Sequence, residues 1–231
     1  MQRATSLVIL SAALVLGASS AGASNLELRL GGFFPRAQST LFDDVSELFT
    51  VDKSDWRGVT GGAEFNVVVF PNVEVGLSVD GYARSLESHY RDFVRESGAE
   101  IHQSLTWNVV PVGLSVRLIP TAGRQRLAPY VAVGADLFFW RYEEHGDFVD
   151  FGDPDLEIFA DTFVAEGVEP GFHVAAGLRV PLSYDFSVSV ELRYQQAKAR
   201  MGDDFAPNEP GLVNELDLTG TSLTAGFNIR F

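Results

Sequence analysis

An all-β fold is predicted for this chain: an eight-stranded antiparallel up-and-down transmembrane β-barrel with short periplasmic turns and long external loops. Three observations carry that expectation. Period-two alternation recurs in eight segments, the links between them are alternately short and long, and the non-apolar parity of the segments carries acids and arginines in equal number.

The elements follow in order. The chain opens MQRATSLVILSAALVLGASSAGAS, with Arg3 before an apolar run from Leu7 to Leu16 and then the small residues Ala21, Gly22 and Ala23. That is the form of a secretory signal peptide, which assigns 1–23 to a leader and 24–231 to the barrel domain. No later apolar run approaches the ~20 residues of a spanning helix. The alternating segments are NLELRLGGFF (25–34), VTGGAEFNVVVF (59–70), VEVGLSVDGYAR (73–84), SLTWNVVPVGLSVRLI (104–119), YVAVGADLFFW (130–140), FHVAAGLRV (172–180), FSVSVELRYQQ (186–196) and TSLTAGFNIRF (221–231). Most are close to the ~9–11 residues with which a tilted strand crosses hydrocarbon. Pro71 with Asn72, PTAGRQRLAP and PLSYD make the short links; 35–58, 85–103, 141–171 and 197–220 make the long ones. In the fourth segment Leu105 and Trp107 are out of phase with Val112, Leu114, Val116 and Leu118, which predicts a β-bulge near Val109 to Pro111.

The non-apolar parity decides which face is inside. It carries the acids Glu27, Glu64, Glu74, Asp80, Asp136 and Glu191, the bases Arg29, Arg84, Arg117, Arg179, Arg193 and Arg230, and the glycines Gly62, Gly76, Gly113, Gly134, Gly177 and Gly226. Every base is arginine, whose rigid fork suits buried bidentate pairing with carboxylates. The other parity is Leu, Val, Phe and Ile with almost no charge, as a lipid-facing band requires, since a basic residue on that face at the bilayer midplane costs ~2–4 kcal/mol. Glu191 and Arg193 are therefore expected inside, with Val188, Val190 and Leu192 on lipid. Only helices and closed barrels satisfy every backbone group in hydrocarbon, so the strands must close.

With a neutral lumen, the formal charge of −14 falls mainly on the long loops and argues against a nucleic-acid partner. The absence of cysteine excludes disulfide frameworks and thiolate sites. Asp147, Asp150, Asp153, Asp155 and Glu157 could offer oxygen ligands to calcium, yet they lack the order and glycine position of an EF-hand loop, so no metal site is expected. Asp153 and Pro154 read as the start of a short helix with Leu156, Phe159, Ala160 and Phe163 on one face, and TLFDDVSELF (40–49) as another, capped by Thr40 with Leu41, Val45 and Leu48 inward. Ser97 and Gly98 read as a hairpin tip. Phe33, Phe34, Trp56, Phe70, Tyr130, Phe138, Phe139, Trp140, Tyr142, Tyr184 and Phe231 lie at strand ends, as interfacial girdles would.

"PYVAVGADLFFW" (129–140), "GFHVAAG" (171–177), "VELRYQQAK" (190–198) and "SLTAGFNIRF" (222–231) resemble the small outer-membrane β-barrels of Gram-negative envelopes, the OmpA-like and opacity-protein-like group. The resemblance covers 25–231. It implies that Phe227, Ile229 and Phe231 form the terminal assembly signal, that periplasmic chaperones and the barrel-assembly machinery are partners, and that the product is a monomer among outer-membrane lipid and lipopolysaccharide. Larger OmpA-type proteins continue into a peptidoglycan-binding domain; the resemblance here covers the barrel alone, so cell-wall anchoring is not expected.

For chemistry, the histidines are His89, His102, His145 and His173; only His173 falls mid-way along an inward face, where Glu191 or Ser189 could orient it. A polar lumen residue satisfied by its neighbours is the simpler account. The expectation is a non-enzymatic, cofactor-free membrane anchor whose acidic loops meet the exterior. A narrow or gated passage for small or apolar solutes, as in OmpW-like barrels, is the alternative, and a lipid-modifying enzyme of the envelope is the third.

Overall fold

The computed structural model describes residues 24–120, 127–152, 155–202, 205 and 215–231. The expected leader therefore lies outside the described residues, as do Asp153 and Pro154. The barrel strands are β1 (Ser24–Pro35), β2 (Gly58–Phe70), β3 (Val73–Val94), β4 (Glu100–Leu118), β5 (Ala128–Val149), β6 (Ile158–Pro181), β7 (Phe186–Gln196) and β10 (Gly220–Arg230), with the short pair β8 (Lys198–Arg200) and β9 (Glu215–Asp217) between the last two. They close in the ring β1-β10-β7-β6-β5-β4-β3-β2, every neighbour antiparallel. At the closing seam Ser24 and Phe231 exchange both backbone hydrogen bonds at 3.0 Å. Among the described residues no helix is long and apolar enough to cross a membrane; the strands make the crossing.

Burial follows the inverted arrangement. Val190 and Leu192 are 55 % and 53 % exposed, whereas Glu191 between them is 2 % exposed and Arg193 6 %. Leu28, Leu30, Leu77, Leu114, Val116, Val131, Val133, Leu178 and Leu223 join them in the outward apolar band. An eight-stranded ring is just wide enough for side chains to fill it, and small residues make the space: a Cβ at Gly177 would collide with the ring of Tyr130, which projects across the bore from β5.

The strands are unequal. β1, β2, β7 and β10 have 11 to 13 residues, while β3, β5 and β6 have 22, 22 and 24. The longer ones are about twice what a membrane crossing needs, so their outer halves stand above the lipid. The β3–β4 tip turns at Gly98, whose φ of +80° is left-handed, with Gly98 donating to the Arg95 carbonyl at 2.8 Å. This is the hairpin the sequence predicts. β5 and β6 likewise run on, in unbroken register from Ala128 with Arg179 to Val149 with Ile158.

Two expectations are corrected here. Phe159, Ala160 and Phe163 lie in β6 and not in a helix, because Phe159 and Phe163 pack their rings against Phe148 on the paired strand, with centroids 6.1 and 4.9 Å apart. No bulge occurs at Val109 to Pro111: β4 keeps a single register with β5 through that stretch, pairing Val109 with Trp140 and Pro111 with Phe138. Leu105, Trp107 and Val109 therefore point into the bore on the same side as Ser115 and Arg117, and all five are buried. The apparent phase change marks a change in what fills the bore, polar below and apolar above.

Helix α1 (Thr40–Leu48), in the β1–β2 link, lies over that apolar half. Its N-cap is Ser39 and not Thr40, and the buried face is Leu41, Phe42 and Val45; Leu48 is 38 % exposed, so Phe42 takes the place the sequence reading gave to it. Helical spacing admits either choice (i, i+3 or i+4), and the ring of Phe42 wins by stacking edge-on to Trp107 and Trp56 at 5.4 and 5.8 Å.

Candidate functional site

The lower half of the bore is an ion-pair network drawn from six strands. Arg117 on β4 is wholly buried; its guanidinium meets Glu27 of β1 and Glu64 of β2 at 3.1 Å and Glu191 of β7 at 3.5 Å, and stacks 4.4 Å from the ring centroid of Tyr130. Arg193 on β7 reaches Glu64 at 3.1 Å, Glu191 at 3.0 Å and Asp80 of β3 at 3.1 Å. Arg29 on β1 donates to Glu64 and forks onto Asp80, one arm at 2.7 Å. Arg179 on β6 forks onto Glu74 at 3.0 and 3.2 Å. Neutral groups take up further lone pairs: Tyr130 donates to Glu191 at 3.0 Å, Ser115 to Glu64 at 3.2 Å, Ser189 to Glu27 and Asn25 to Glu74 at 3.4 Å. Each carboxylate thus meets several donors, the condition under which buried charges are tolerated. A void of about 20 Å³ bordered by Arg29, Asp80 and Arg193 has space for roughly one water.

Three residues expected in this network are elsewhere. Arg84 follows the inward parity but sits above the membrane, where it donates to the Asp55 carbonyl at 2.9 Å. Arg230 is exposed at the periplasmic end of β10. Asp136 is inside but pairs with His173, whose Nδ1 lies 2.7 Å from its carboxylate. His173 in turn takes Asp136, and not Glu191 or Ser189, because Gly134 faces it across the β5–β6 register and leaves room for the ring.

The upper half of the bore is aromatic. Trp107 is its centre, with Tyr82, Phe42, Trp56 and Phe33 around it at centroid distances of 5.2, 5.4, 5.9 and 6.4 Å. Phe138, Trp140 and Tyr142 of β5 close the far side, and Leu216 and Leu218 from around β9 complete the cover. Phe33, Trp56, Tyr130, Phe138, Trp140 and Tyr142 are consequently interior groups and not parts of an interfacial girdle. Phe34, Phe70, Phe139, Tyr184 and Phe231 are outward and exposed, and so remain available to the interfaces. At the assembly-signal positions, Phe227 is exposed and stacks on Phe186 with centroids 5.6 Å apart, Ile229 is half-buried, and Phe231 stacks on Phe65.

Above the aromatic layer, a pocket of about 540 Å³ opens to the exterior. α1 lines it with Leu41, Val45 and Leu48, the β5–β6 hairpin with Phe148, Phe159 and Phe163, and Tyr90 and Phe205 close its flanks. Glu144 lies at its base. Burial pushes this carboxyl up to about 7, against the opposing effect of the Tyr142 hydroxyl, which donates to it at 2.8 Å. Sequence parity could have flagged Glu144, which follows Tyr142 and Trp140 on the inward side of β5, but only with the strand carried on past the membrane.

The acids considered for calcium do not gather. Asp147 pairs with Arg95, Asp150 accepts from the Gly152 amide at 2.8 Å, Asp155 has its own interactions, and Glu157 is joined to Asp150 through its backbone carbonyl. Asp153 lies outside the described residues.

No curated protein matches the chain in sequence. Among solved structures it is similar to the outer membrane protein OprG from Pseudomonas aeruginosa, at 12 % identity and a TM-score of 0.56 over 91 % of this chain and 96 % of that one. Neisserial surface protein A matches at 12 % identity and 0.49 over 90 % and 97 %, and the Escherichia coli outer membrane protein W at 16 % and 0.45 over 92 % and 100 %. At such identities the likeness is one of fold. The family model for the outer membrane protein beta-barrel domain, however, matches residues 8–231, and the inverted barrel built above is what that model describes: the chain belongs to this family and is an integral protein of the Gram-negative outer membrane.

Proposed function

We propose that this barrel is a closed, non-enzymatic anchor that holds a rigid external head on the cell surface. The observation that carries the reading is the double filling of the bore, by Arg117 with its carboxylates below and by Trp107 with its aromatic neighbours above. A permanent pore would need a continuous wet path, and these two layers leave none among the described residues. The His173–Asp136 pair has the orientation of a base and its partner, yet both groups are buried inside the bore, between its polar and aromatic layers. The acidic outer surface meets lipopolysaccharide, with divalent cations as loose bridges, and Phe227, Ile229 and Phe231 are read by the assembly machinery. Reconstituted in planar bilayers, the protein should show no steady ion current; steady currents that shift on substituting Glu191 or Arg193 would refute the closed anchor.

The external pocket favours a second reading, capture of small apolar solutes at the outer rim. Its volume of about 540 Å³ lies in the ~300–1,000 Å³ range of small-molecule sites. Titrating toluene into methyl-labelled protein should move the signals of Leu41, Val45 and Leu48 together and leave those of Leu114 and Val133 in place. Shifts spread evenly over lipid-facing methyls would instead mean simple partition into the membrane mimic.

A further inference from the structure

The tall β3–β4 hairpin carries a cluster that neither reading uses. His89 of β3 and His102 of β4 are direct cross-strand partners. Beyond them the register breaks: the next pairing joins Val94 to Glu100, so that the residues from Tyr90 to Phe93 bulge out opposite Ile101. Tyr90 continues the inward parity of Tyr82 and Ser88, bridging to Phe49 and stacking on its ring at 4.9 Å. Glu100, two residues before His102 and so on the same face, swings over the histidine pair. Its Oε2 lies 3.8 Å from both His89 Nδ1 and His102 Nε2, and the three donor atoms all fall within 4.8 Å of one another.

We propose that His89, Glu100 and His102 form an external binding site for a borderline transition-metal cation of the zinc, copper or nickel class. Two imidazoles and one carboxylate suit these ions and not the hard cations calcium and magnesium, which take oxygen ligands. Bonds of ~2.0–2.1 Å to a tetrahedral ion place donors roughly 3.3 Å apart, so each Glu100–histidine edge closes by about half an ångström and the edge between the two imidazoles by at most about 1.5 Å. All three are at least partly exposed, and to close on an ion they give up one contact, the 3.3 Å approach of His89 Nδ1 to the Thr50 hydroxyl. The backbone beneath them is fixed by the β3–β4 ladder and by Thr50, whose amide donates to the His89 carbonyl at 3.0 Å and whose hydroxyl accepts from the His89 amide at 3.3 Å. Three protein ligands on an exposed face leave a coordination position for water or for a donor from outside.

The test uses the full chain purified without a polyhistidine tag and folded in a non-ionic detergent, titrated calorimetrically with zinc chloride. One ion per chain is expected. H89A and H102A should each weaken binding by at least about tenfold, and the pair together should abolish it, with H145A unchanged because His145 lies on the β5–β6 hairpin and bonds Thr162 instead. Circular dichroism of every variant shows whether the barrel has folded. Copper loaded at one equivalent should give an electron-spin resonance spectrum with two imidazole nitrogens, reduced to one in either single variant. Absence of zinc binding to the folded wild-type protein, or zinc binding that survives in the folded H89A/H102A double variant, would overturn the site.

Discussion

Replacing Arg117 with methionine should cost about 3–5 kcal/mol of barrel stability, read as a lowered urea midpoint for unfolding from lipid vesicles. The magnitude follows from what stays behind. Glu27, Glu64 and Glu191 all face the Arg117 guanidinium within 3.5 Å, and none of them can reach bulk water when it goes. Breaking a buried pair from one side is far more damaging than removing both partners, because an uncompensated charge remains. Two companion variants separate this cause from lost packing. R117K keeps the charge but not the fork, and should recover part of the loss. R117M with Glu27→Gln should be less destabilised than the two single changes predict when summed, since Glu27 pairs with Arg117 and the second substitution removes the charge the first has stranded. R84M serves as the control: Arg84 bonds a backbone carbonyl outside the network, and its loss should shift the midpoint little. Equal effects from R84M and R117M would mean that the network contributes no more than a surface contact.

The second large effect concerns pH and the external head. Glu144 holds its proton up to about pH 7 in the folded protein, against an ordinary value of 4.5. A carboxyl raised in this way contributes stability that is full below about pH 4.5 and is lost as pH rises through 7, because the folded state binds the proton more tightly than the unfolded state. Across that window the loss is of the order of 3 kcal/mol. All three tryptophans, Trp56, Trp107 and Trp140, lie in the aromatic layer below it, so intrinsic fluorescence reports on the head alone. Wild-type emission should shift to the red between pH 6 and pH 8.5 as water enters. Glu144→Gln should hold its emission constant over the same range; a red shift equal to wild type would show that another group titrates.

The membrane-spanning part of the fold was readable because lipid imposes a strict two-residue alternation and forbids exceptions. Val190 and Leu192 against Glu191 and Arg193 could be sorted by eye, and the eight segments correspond to the eight strands of the ring. Above the membrane that rule lapses. Water permits either character on the outside, so Trp107 facing inward in phase with Arg117 looked like a register fault, and Phe159 to Phe163 looked helical. The ion network was half legible for a related reason. Parity placed Arg84 and Arg230 on the inward side, but parity carries no height: one stands above the polar layer and the other falls below it. Tyr130 was missed because a tyrosine near a strand end suits an interface equally well. The cross-strand meeting of His89 with His102 depends on register, and the approach of Glu100 on a bulge, neither of which alternation encodes.

The difference in strand length gives the molecule a front and a back. β3 to β6 are consecutive around the ring, as are β7, β10, β1 and β2, so one half of the circumference carries a palisade and the other ends near the lipid headgroups. At ~3.3 Å per residue, the surplus of about ten residues raises the high side by a few tens of ångströms. Anything drifting in the plane of the membrane therefore meets a low sill from one direction and a wall from the other, and this single chain has a compass bearing among its neighbours without needing a partner to set it.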